Sequence, residues 1–323
     1  MFATDLRITD CHCDTTWRMG KNDYDFSRRN STGHLDLPRL LEGGVGLQFF
    51  AVCTAPLKER SCLHAALQQI GHYHRALALN SHHLHNLEHE EDLAAAEQKG
   101  KIGTLLALEG AEPLEGSLEL LEIFYILGVR ALSLTWNHRN HFADGVGEKS
   151  AAGGLTRAGR KLVQELSRKG IILDLAHLAP RCFFEALELT ERPPLVSHAN
   201  ARELCDHPRN LSDKQLKALA ARGGVIGMSF CPYFITGEAE ASLEQLIDHF
   251  IYVAALVGVE HLAFGSDFDG IEKTVTGIPD AAAYPALLEA LCKRGFHSHE
   301  VELIARSNVE RILRENLGKR APP

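Results

Sequence analysis

Leu6-Arg7-Ile8-Thr9-Asp10-Cys11-His12-Cys13-Asp14 is the stretch of this chain that decides its fold. It reads as a short strand that ends in polar side chains. Successive side chains of a strand point to opposite faces, so Asp10, His12 and Asp14 are predicted to share one face and the two cysteines between them the other. A strand that ends in histidine and carboxylate side chains predicts a functional site at its carboxyl end.

Four later apolar runs end in the same way. Each is followed at once by a histidine or an acid: Glu109 after 102–108, His177 after 171–176, His198 after 195–197 and Asp267 after 262–266. Apolar strands more commonly end in turn residues. Together, these polar endings predict a site that is assembled from the ends of several strands.

Strand-like and helix-like segments alternate along the whole chain. Strands are predicted at 6–12, 45–53, 102–109, 131–136, 171–177, 194–199, 224–230 and 262–267, and helices at 35–42, 61–80, 117–127, 156–169, 181–189, 212–222, 242–257, 281–294 and 298–316, with one more starting at Glu90. In 323 residues this alternation favours a parallel α/β fold, a (β/α)8 TIM barrel, with a doubly wound sheet as the alternative. We expect 1–323 to form a single catalytic barrel domain with C-terminal helices, and 318–323 to be a flexible tail.

The composition is that of a globular protein, with 45% hydrophobic and 24% charged residues. A net charge of -8 disfavours a nucleic-acid partner or binding to an anionic membrane. No stretch approaches the roughly 20 apolar residues of a membrane span, and the amino terminus does not resemble a signal peptide. We therefore expect a cytoplasmic protein without a membrane partner, in which the eight cysteines are reduced thiols.

The polar strand ends suit metal-assisted chemistry. Histidines together with two or three carboxylates, converging from different strands, suit one or two divalent, zinc-like ions. A carboxylate between two ions can bridge them, and two ions roughly 3.5–4 Å apart can hold a hydroxide and polarise a carbonyl. An additional carboxylate can take the proton from that hydroxide and pass it to a leaving amine. The pattern predicts a metal-dependent hydrolase.

Blocks of sequence that run nearly end to end also resemble a known family. They are 10–14, 34–50, 107–110, 132–145, 174–177, 196–210, 265–270 and the Ser307-Asn308 pair with the helix after it. Through these blocks the chain resembles the membrane dipeptidase (renal dipeptidase) family of zinc peptidases, in its soluble bacterial-type form. The resemblance implies an amidohydrolase-like (β/α)8 barrel that carries a binuclear zinc centre.

The resemblance assigns a role to each polar strand end. It implies two Zn²⁺ ions per chain, the first bound by His12 and Asp14 and the second by His177 and His198. Glu109 matches the carboxylate that bridges both ions.

Three further residues match positions of the family. Asp267 matches the acid/base carboxylate beside the bridging hydroxide, and Arg209 matches the residue that grips the terminal carboxylate of the substrate. Asp269 matches a structural position. The resemblance also suggests a homodimer.

One departure from the family concerns the strand predicted at 131–136. Mammalian members carry there a histidine that contacts the scissile carbonyl, and an ungapped match places Trp136 at this position. His138, two residues on, is the candidate that could supply the missing catalytic function. Trp136, Asn210 and Tyr233 are candidate substrate-binding residues.

The function predicted is that of a zinc-dependent dipeptidase, which hydrolyses dipeptides with a metal-bridging hydroxide. The resemblance adds that a D-residue can stand at the carboxyl-terminal position of the substrate. Another amidohydrolase-type metal hydrolase, acting on N-acyl amino acids, lactones or phosphotriesters, is the first alternative. A non-catalytic metal-binding barrel is the second, and the surplus acid Asp267 argues against it.

Overall fold

The computed structural model describes residues 6–54, 61–151 and 153–319. It contains nine strands within these residues. They are β1 (Ile8–Cys13), β2 (Val45–Cys53), β3 (Leu84–Asn86), β4 (Ile102–Glu109), β5 (Val129–Ser133), β6 (Ile172–Asp174), β7 (Leu195–Ala199), β8 (Val225–Met228) and β9 (Leu262–Phe264).

Eight of these strands close into a parallel barrel. Along the sheet each strand pairs with its neighbours in the order β2-β1-β9-β8-β7-β6-β5-β4, and the pairing of β2 with β4 joins the two ends. This closure confirms the predicted (β/α)8 barrel and excludes the doubly wound sheet, which has two free edges. The one strand outside the barrel, β3, was not predicted. It is three residues long and pairs with the beginning of β4.

Helices follow most strands and surround the barrel. They are α1 (Thr15–Arg18), α2 (Leu37–Glu42), α3 (Cys62–Leu79), α4 (Glu90–Gln98), α5 (Glu119–Ile126), α6 (Arg157–Lys169), α7 (Pro180–Leu189), α8 (Asp213–Ala221), α9 (Pro232–Ile235), α10 (Leu243–Val257), α11 (Tyr284–Lys293), α12 (Ser298–Glu302) and α13 (Asn308–Asn316). Short 3₁₀ segments lie at Glu112–Leu114, Val146–Ala151, Val259–His261 and Ala281–Ala283, and a π segment lies at Leu303–Ser307. None of the helices in these described residues is long and apolar enough to cross a membrane.

Several predicted helices begin where a side chain caps the first turn. The side chains of Asp36, Ser61, Thr156, Ser212 and Ser242 each accept a hydrogen bond from a backbone N–H in the first turn of the helix that follows. Such a cap satisfies one of the four backbone donors that a helix leaves free at its start. The helix predicted over 298–316 is present, with α12, the π segment and α13 in direct succession.

The last helix closes one end of the barrel. Inward-facing side chains of the strands form one cluster with apolar residues of α13 and the residue after it, among them Ile312 and Leu313. Asn308 Nδ2 donates to the carbonyl of Leu262 at 2.8 Å, at the start of β9, and Asn316 Nδ2 donates to the carbonyl of Pro193 at 2.9 Å, just before β7. The amino-terminal end of the barrel is therefore covered, and the carboxyl-terminal end remains for a site.

Part of the predicted flexible tail, 320–323, lies outside the described residues. Gly318, at its start, accepts a hydrogen bond from the backbone N–H of Glu90 at 3.2 Å.

Candidate active site

The polar strand ends meet at the carboxyl-terminal mouth of the barrel. Nε2 of His12 lies 3.3 Å from Oδ2 of Asp14 and 3.8 Å from Oε1 of Glu109. The same Glu109 oxygen lies 2.7 Å from Nε2 of His177 and 3.5 Å from Nε2 of His198. All five side chains are buried, so the structure brings together the whole set of ligands predicted from the sequence.

Asp267 joins this cluster from the segment that follows β9. Its Oδ1 lies 4.0 Å from Nε2 of His12, and its side chain is buried beside the same acids. The six side chains form three overlapping groups in which one ligand atom from each member lies within 4.8 Å of the others: His12–Asp14–Glu109, Glu109–His177–His198 and His12–His198–Asp267.

The strict alternation predicted for residues 6–14 does not hold. Cys11 packs inside the barrel, whereas Cys13 packs in the layer between barrel and helices, because the register of β1 shifts between Asp10 and Cys13. The carboxylate of Asp10 accepts hydrogen bonds from the N–H and the hydroxyl of Ser266, at 2.9 and 2.7 Å. Asp10 therefore fixes the end of β1 against the residue that precedes Asp267. All eight cysteines lie within the described residues, and no disulfide joins any two of them.

Two residues of the cluster have an unusual backbone conformation. His177 and Asp267 have φ angles of 67° and 65°, in the left-handed region that non-glycine residues seldom occupy. Such conformations persist only where the surrounding structure holds them, and they concentrate at functional sites. They turn the chain sharply at the end of a strand, which directs these side chains over the mouth of the barrel.

Burial and crowding of like charges shift the pKa values in the cluster. Burial raises the pKa of Asp267 to about 8, and burial together with the charge of Glu109 raises the pKa of Asp14. Burial alone would lower the pKa of His12, but the carboxylates of Glu109 and Asp14 raise it to about 10. Burial lowers the pKa of His177 well below its usual value, and the nearby charges of Arg209 and His12 lower it further.

This donor set fits divalent metal ions. Imidazole nitrogens and carboxylate oxygens are the ligands that zinc takes in catalytic sites. Burying three neighbouring carboxylates costs free energy because they repel one another, and cations between them would offset that cost. Glu109, His12 and His198 each belong to two of the three groups, and of these three residues only Glu109 has a carboxylate, whose two oxygens could contact two ions.

Arg209 lies in the wall of the cavity above the cluster. Its guanidinium is buried, and Nη2 donates to the backbone carbonyl of His198 at 3.0 Å. Its Nε has no hydrogen-bond partner among the described residues. A buried guanidinium N–H without a partner is costly, so a ligand acceptor is the natural complement at this position.

A cavity of about 680 Å³ opens over the cluster. The predicted substrate-binding residues Trp136 and Tyr233 line it, together with Trp17, Phe234 and Ile271. The sequence did not single out the last three as pocket residues. Trp17 and Phe234 lie in the four-residue helices α1 and α9 and Ile271 lies in a loop, so no strand pattern reveals them.

Two predicted site residues do not reach this cavity. His138 is exposed and lies outside the cavity wall, with its ring 6.0 Å from that of Trp136. Asn210 is buried behind the wall, where its Nδ2 donates to the carbonyls of Cys205 and Phe234 at 2.9 and 2.7 Å. The structure therefore places neither of them against a substrate, and Asn210 supports the loop that carries Arg209.

Asn137 takes the place near the cluster that was predicted for His138. It lines the cavity, and its Oδ1 lies 2.8 Å from Nδ1 of His177. His207, two residues before Arg209, lines the cavity as well and was also missed.

Asp269 has a structural environment, as the sequence predicted. Its carboxylate accepts hydrogen bonds from the hydroxyl of Thr15 at 2.7 Å and from the N–H of His34 at 2.8 Å. It also pairs with Nε of Arg18 at 2.8 Å. These bonds connect the loop after β9 to the loops after β1.

Fold and site together define the class of this protein: a metal-dependent hydrolase on a (β/α)8 barrel, with its site at the carboxyl-terminal mouth. The chain belongs to the membrane dipeptidase family (peptidase family M19), whose model matches residues 2–322. It is thus an enzyme that hydrolyses peptide bonds, a metallo-dipeptidase.

Individual relatives support this assignment. Dipeptidase tcpJ of Claviceps purpurea is 34% identical in an alignment 310 positions long, which covers 90% of this chain and 73% of the relative. Dipeptidase aclJ of Aspergillus oryzae is 32% identical in an alignment 338 positions long, gaps included, which covers 96% of this chain and 78% of the relative. A metallopeptidase from Rhodobacter sphaeroides, crystallised with a phosphinate mimic of the dipeptide L-Ala-D-Ala, superposes with a TM-score of 0.89 at 27% identity, over 97% of this chain and 99% of that one.

Proposed function

We propose that this protein is a zinc-dependent dipeptidase that hydrolyses the peptide bond of free dipeptides. The observation that carries the proposal is the relation of Glu109 to Arg209. Glu109 joins two groups of potential metal ligands at the floor of the cavity, and the buried guanidinium of Arg209 lies in the wall of the same cavity. A substrate whose peptide carbonyl lies at the floor and whose terminal carboxylate binds at the wall must be a short peptide.

The proposed centre takes two Zn²⁺ ions. His12, Asp14 and Glu109 would hold one, and Glu109, His177 and His198 the other, in the groups that the geometry supports. When bound, the ions would supply Lewis acidity and activate water at neutral pH.

Two further polar side chains of the cavity have proposed roles in proton transfer and in substrate binding. Asp267 is surplus to the five ligands and faces the same space, so we assign it the transfer of a proton to the leaving amine. Arg209 would bind the terminal carboxylate of the substrate through charge-assisted hydrogen bonds. Trp136 and Tyr233 would contact the substrate side chains.

The proposal includes dipeptides with a D-residue at the carboxyl-terminal position. Held by Arg209, the side chain of that residue would face the open mouth of the cavity, where either configuration has room. The dipeptide mimic bound by the Rhodobacter sphaeroides metallopeptidase, L-Ala-D-Ala, has a D-residue at this position.

The proposal also covers the cellular compartment and the oligomeric state of the protein. Eight cysteines without a disulfide, two of them on β1, suit a reducing compartment such as the cytoplasm. We propose that 1–323 acts as one catalytic domain and that two copies form a homodimer, which light scattering would test.

A panel of substrates tests the proposed function. Zinc-loaded protein is offered L-L and L-D dipeptides, their carboxyl-amidated forms, matching tripeptides, N-acyl amino acids and lactones. We expect cleavage of dipeptides only. Turnover of amidated dipeptides or of lactones at the same rate would favour the broader amidohydrolase function instead.

Arg209 variants sharpen this test. A hydrogen bond to a charged group contributes roughly 1.5–3 kcal/mol, so Arg209→Ala should lower kcat/KM for dipeptides by about 10- to 150-fold. The loss should be absent for amidated dipeptides. Arg209→Lys, which keeps the charge but not the paired geometry, is the matched control and should lose less.

A further inference from the structure

Two histidines of the cluster each have a second polar partner on the far side of the ring. Nδ1 of His177 lies 2.8 Å from Oδ1 of Asn137, and Nδ1 of His198 lies 2.8 Å from Oγ of Ser197. The Nε2 atoms of both rings point the other way, 3.0 Å from each other and towards Glu109. Each ring therefore turns one nitrogen to the cluster and the other to a fixed polar atom.

The outer partner determines which nitrogen carries the proton. A neutral imidazole has one N–H, and a nitrogen that binds metal must be the one without it. The amide oxygen of Asn137 can only accept a hydrogen bond, so it favours the proton on Nδ1 of His177. That tautomer leaves the lone pair of Nε2 directed at the cluster.

Ser197 can act in the same way on His198 because its own proton has another acceptor. The hydroxyl of Ser197 also lies beside the buried carboxylate of Asp174, which can accept its proton. With its proton given to Asp174, the Ser197 oxygen is free to accept from Nδ1 of His198. A chain of three side chains thus runs from a buried carboxylate to the cluster.

Asp174 also holds the backbone that carries both histidines. Its Oδ1 accepts hydrogen bonds from the N–H of Ala176 and the N–H of Ser197, both at 3.0 Å. These two residues immediately precede His177 and His198. The same carboxylate therefore ties the ends of β6 and β7 together directly below the two rings.

We infer that Asn137 and Ser197 are positioning residues that hold His177 and His198 in the tautomer and orientation needed to bind a metal ion. The inference rests on the proposed metal centre and goes beyond it, since neither residue belongs to the proposed ligand set. Outer partners of metal-binding histidines typically contribute a factor of about 10 to 100 in metal affinity.

Zinc affinity, measured by competition with a chromogenic chelator, tests the inference without reference to activity. Asn137→Ala and Ser197→Ala should each weaken one of the bound zinc ions by roughly 10- to 100-fold. Asn137→Asp and Ser197→Thr keep an oxygen acceptor and should retain the wild-type affinity. Asn140→Ala is the matched control: Asn140 lies in the same loop as Asn137, and its side chain bonds the backbone of Leu134, Phe142 and Ala143.

Nitrogen-resolved NMR of the zinc-loaded protein supplies a second readout. The Nδ1 protons of His177 and His198 should exchange slowly with water, and each alanine variant should lose the slow exchange of its own partner only. Unchanged affinity and exchange in both alanine variants would overturn the inference and leave the proposed function standing. Equal losses in Asn140→Ala, or failure of the Asp and Thr variants to restore affinity, would also overturn it, since the effect would then be one of packing. A wild-type protein that takes up no zinc would overturn both proposals.

Discussion

Asp267 faces the cluster from a backbone position with a φ of 65°. Asparagine adopts this left-handed conformation more readily than most residues, so Asp267→Asn should keep the fold while removing the acid. We predict that kcat falls by roughly 10²- to 10⁴-fold, the usual contribution of general acid–base catalysis, with zinc content unchanged. Steady-state kinetics and elemental analysis on one preparation measure both quantities. Near-normal kcat with full zinc would show that another group moves the proton.

Trp136 and His138 should behave differently when they are replaced. Trp136 lines the cavity with its ring 5.9 Å from that of His177, whereas His138 is exposed outside the cavity wall. An aromatic contact is worth roughly 0.5–1.5 kcal/mol, so Trp136→Ala should raise KM by about 2- to 12-fold for dipeptides with apolar side chains. His138→Ala should leave kcat and KM unchanged. If His138→Ala lowers kcat, the loop carries His138 into the site when substrate binds.

The five candidate metal ligands and the loop residues Asn137 and His138 differ in how well their positions can be predicted from the sequence. The convergence of the five candidate metal ligands could be predicted because they lie at the ends of apolar strands, and strand ends meet at one face of a barrel. The positions of Asn137 and His138 depend on the path of a loop. That path is set by long-range bonds, such as the one from the N–H of Val146 to the carbonyl of His177 at 2.9 Å. No local pattern reports such a bond.

At the scale of elements, the barrel strands were predictable and some of their connections were not. Alternating apolar strands and amphipathic helices identified all eight barrel strands, since each must bury two faces. The short elements β3, α1 and α9 escaped because three or four residues carry no readable periodicity. The π segment between α12 and α13 was not predicted, because 298–316 keeps one helical pattern throughout. The left-handed conformations of His177 and Asp267 are likewise imposed by their surroundings.

Helix α13 should contribute to stability and not to catalysis. Ile312 is fully buried among the inward-facing side chains, at the end of the barrel away from the site. We predict that Ile312→Ala lowers the free energy of unfolding by about 2–5 kcal/mol, the usual range for a buried isoleucine. Urea unfolding measures this change, and kcat/KM at a permissive temperature should stay at the wild-type value.

An exposed isoleucine provides the control for this variant. The side chain of Ile126 at the end of α5 is 68% exposed, so Ile126→Ala should change stability by no more than roughly 0.5 kcal/mol. Equal changes in the free energy of unfolding for the two substitutions would mean that α13 does not pack against the end of the barrel in solution.

In the whole molecule, the two ends of the barrel differ in how they contribute to stability. Apolar packing under α13 stabilises the closed end, whereas the open end gathers Asp14, Glu109 and Asp267 in a buried cluster of like charges. Such a cluster opposes folding unless cations or protons neutralise it. The contribution of the site end to the free energy of unfolding should therefore depend on bound metal, and the contribution of the end closed by α13 should not.

Removal of zinc tests this division. Binding to the native state alone stabilises a protein by RT ln(1 + [L]/Kd), which is about 2.7 kcal/mol per site when free zinc exceeds Kd a hundredfold. We predict that a chelator lowers Tm and abolishes activity, and that readdition of zinc restores both. In Glu109→Ala the shift in Tm should disappear along with zinc occupancy, because both ions lose a shared ligand. In Ile312→Ala the zinc-dependent gain in free energy should keep its wild-type size on a lower baseline, since effects at distant sites add. A Glu109→Ala protein with the full zinc-dependent gain would rule out the shared carboxylate at the centre of the proposed site.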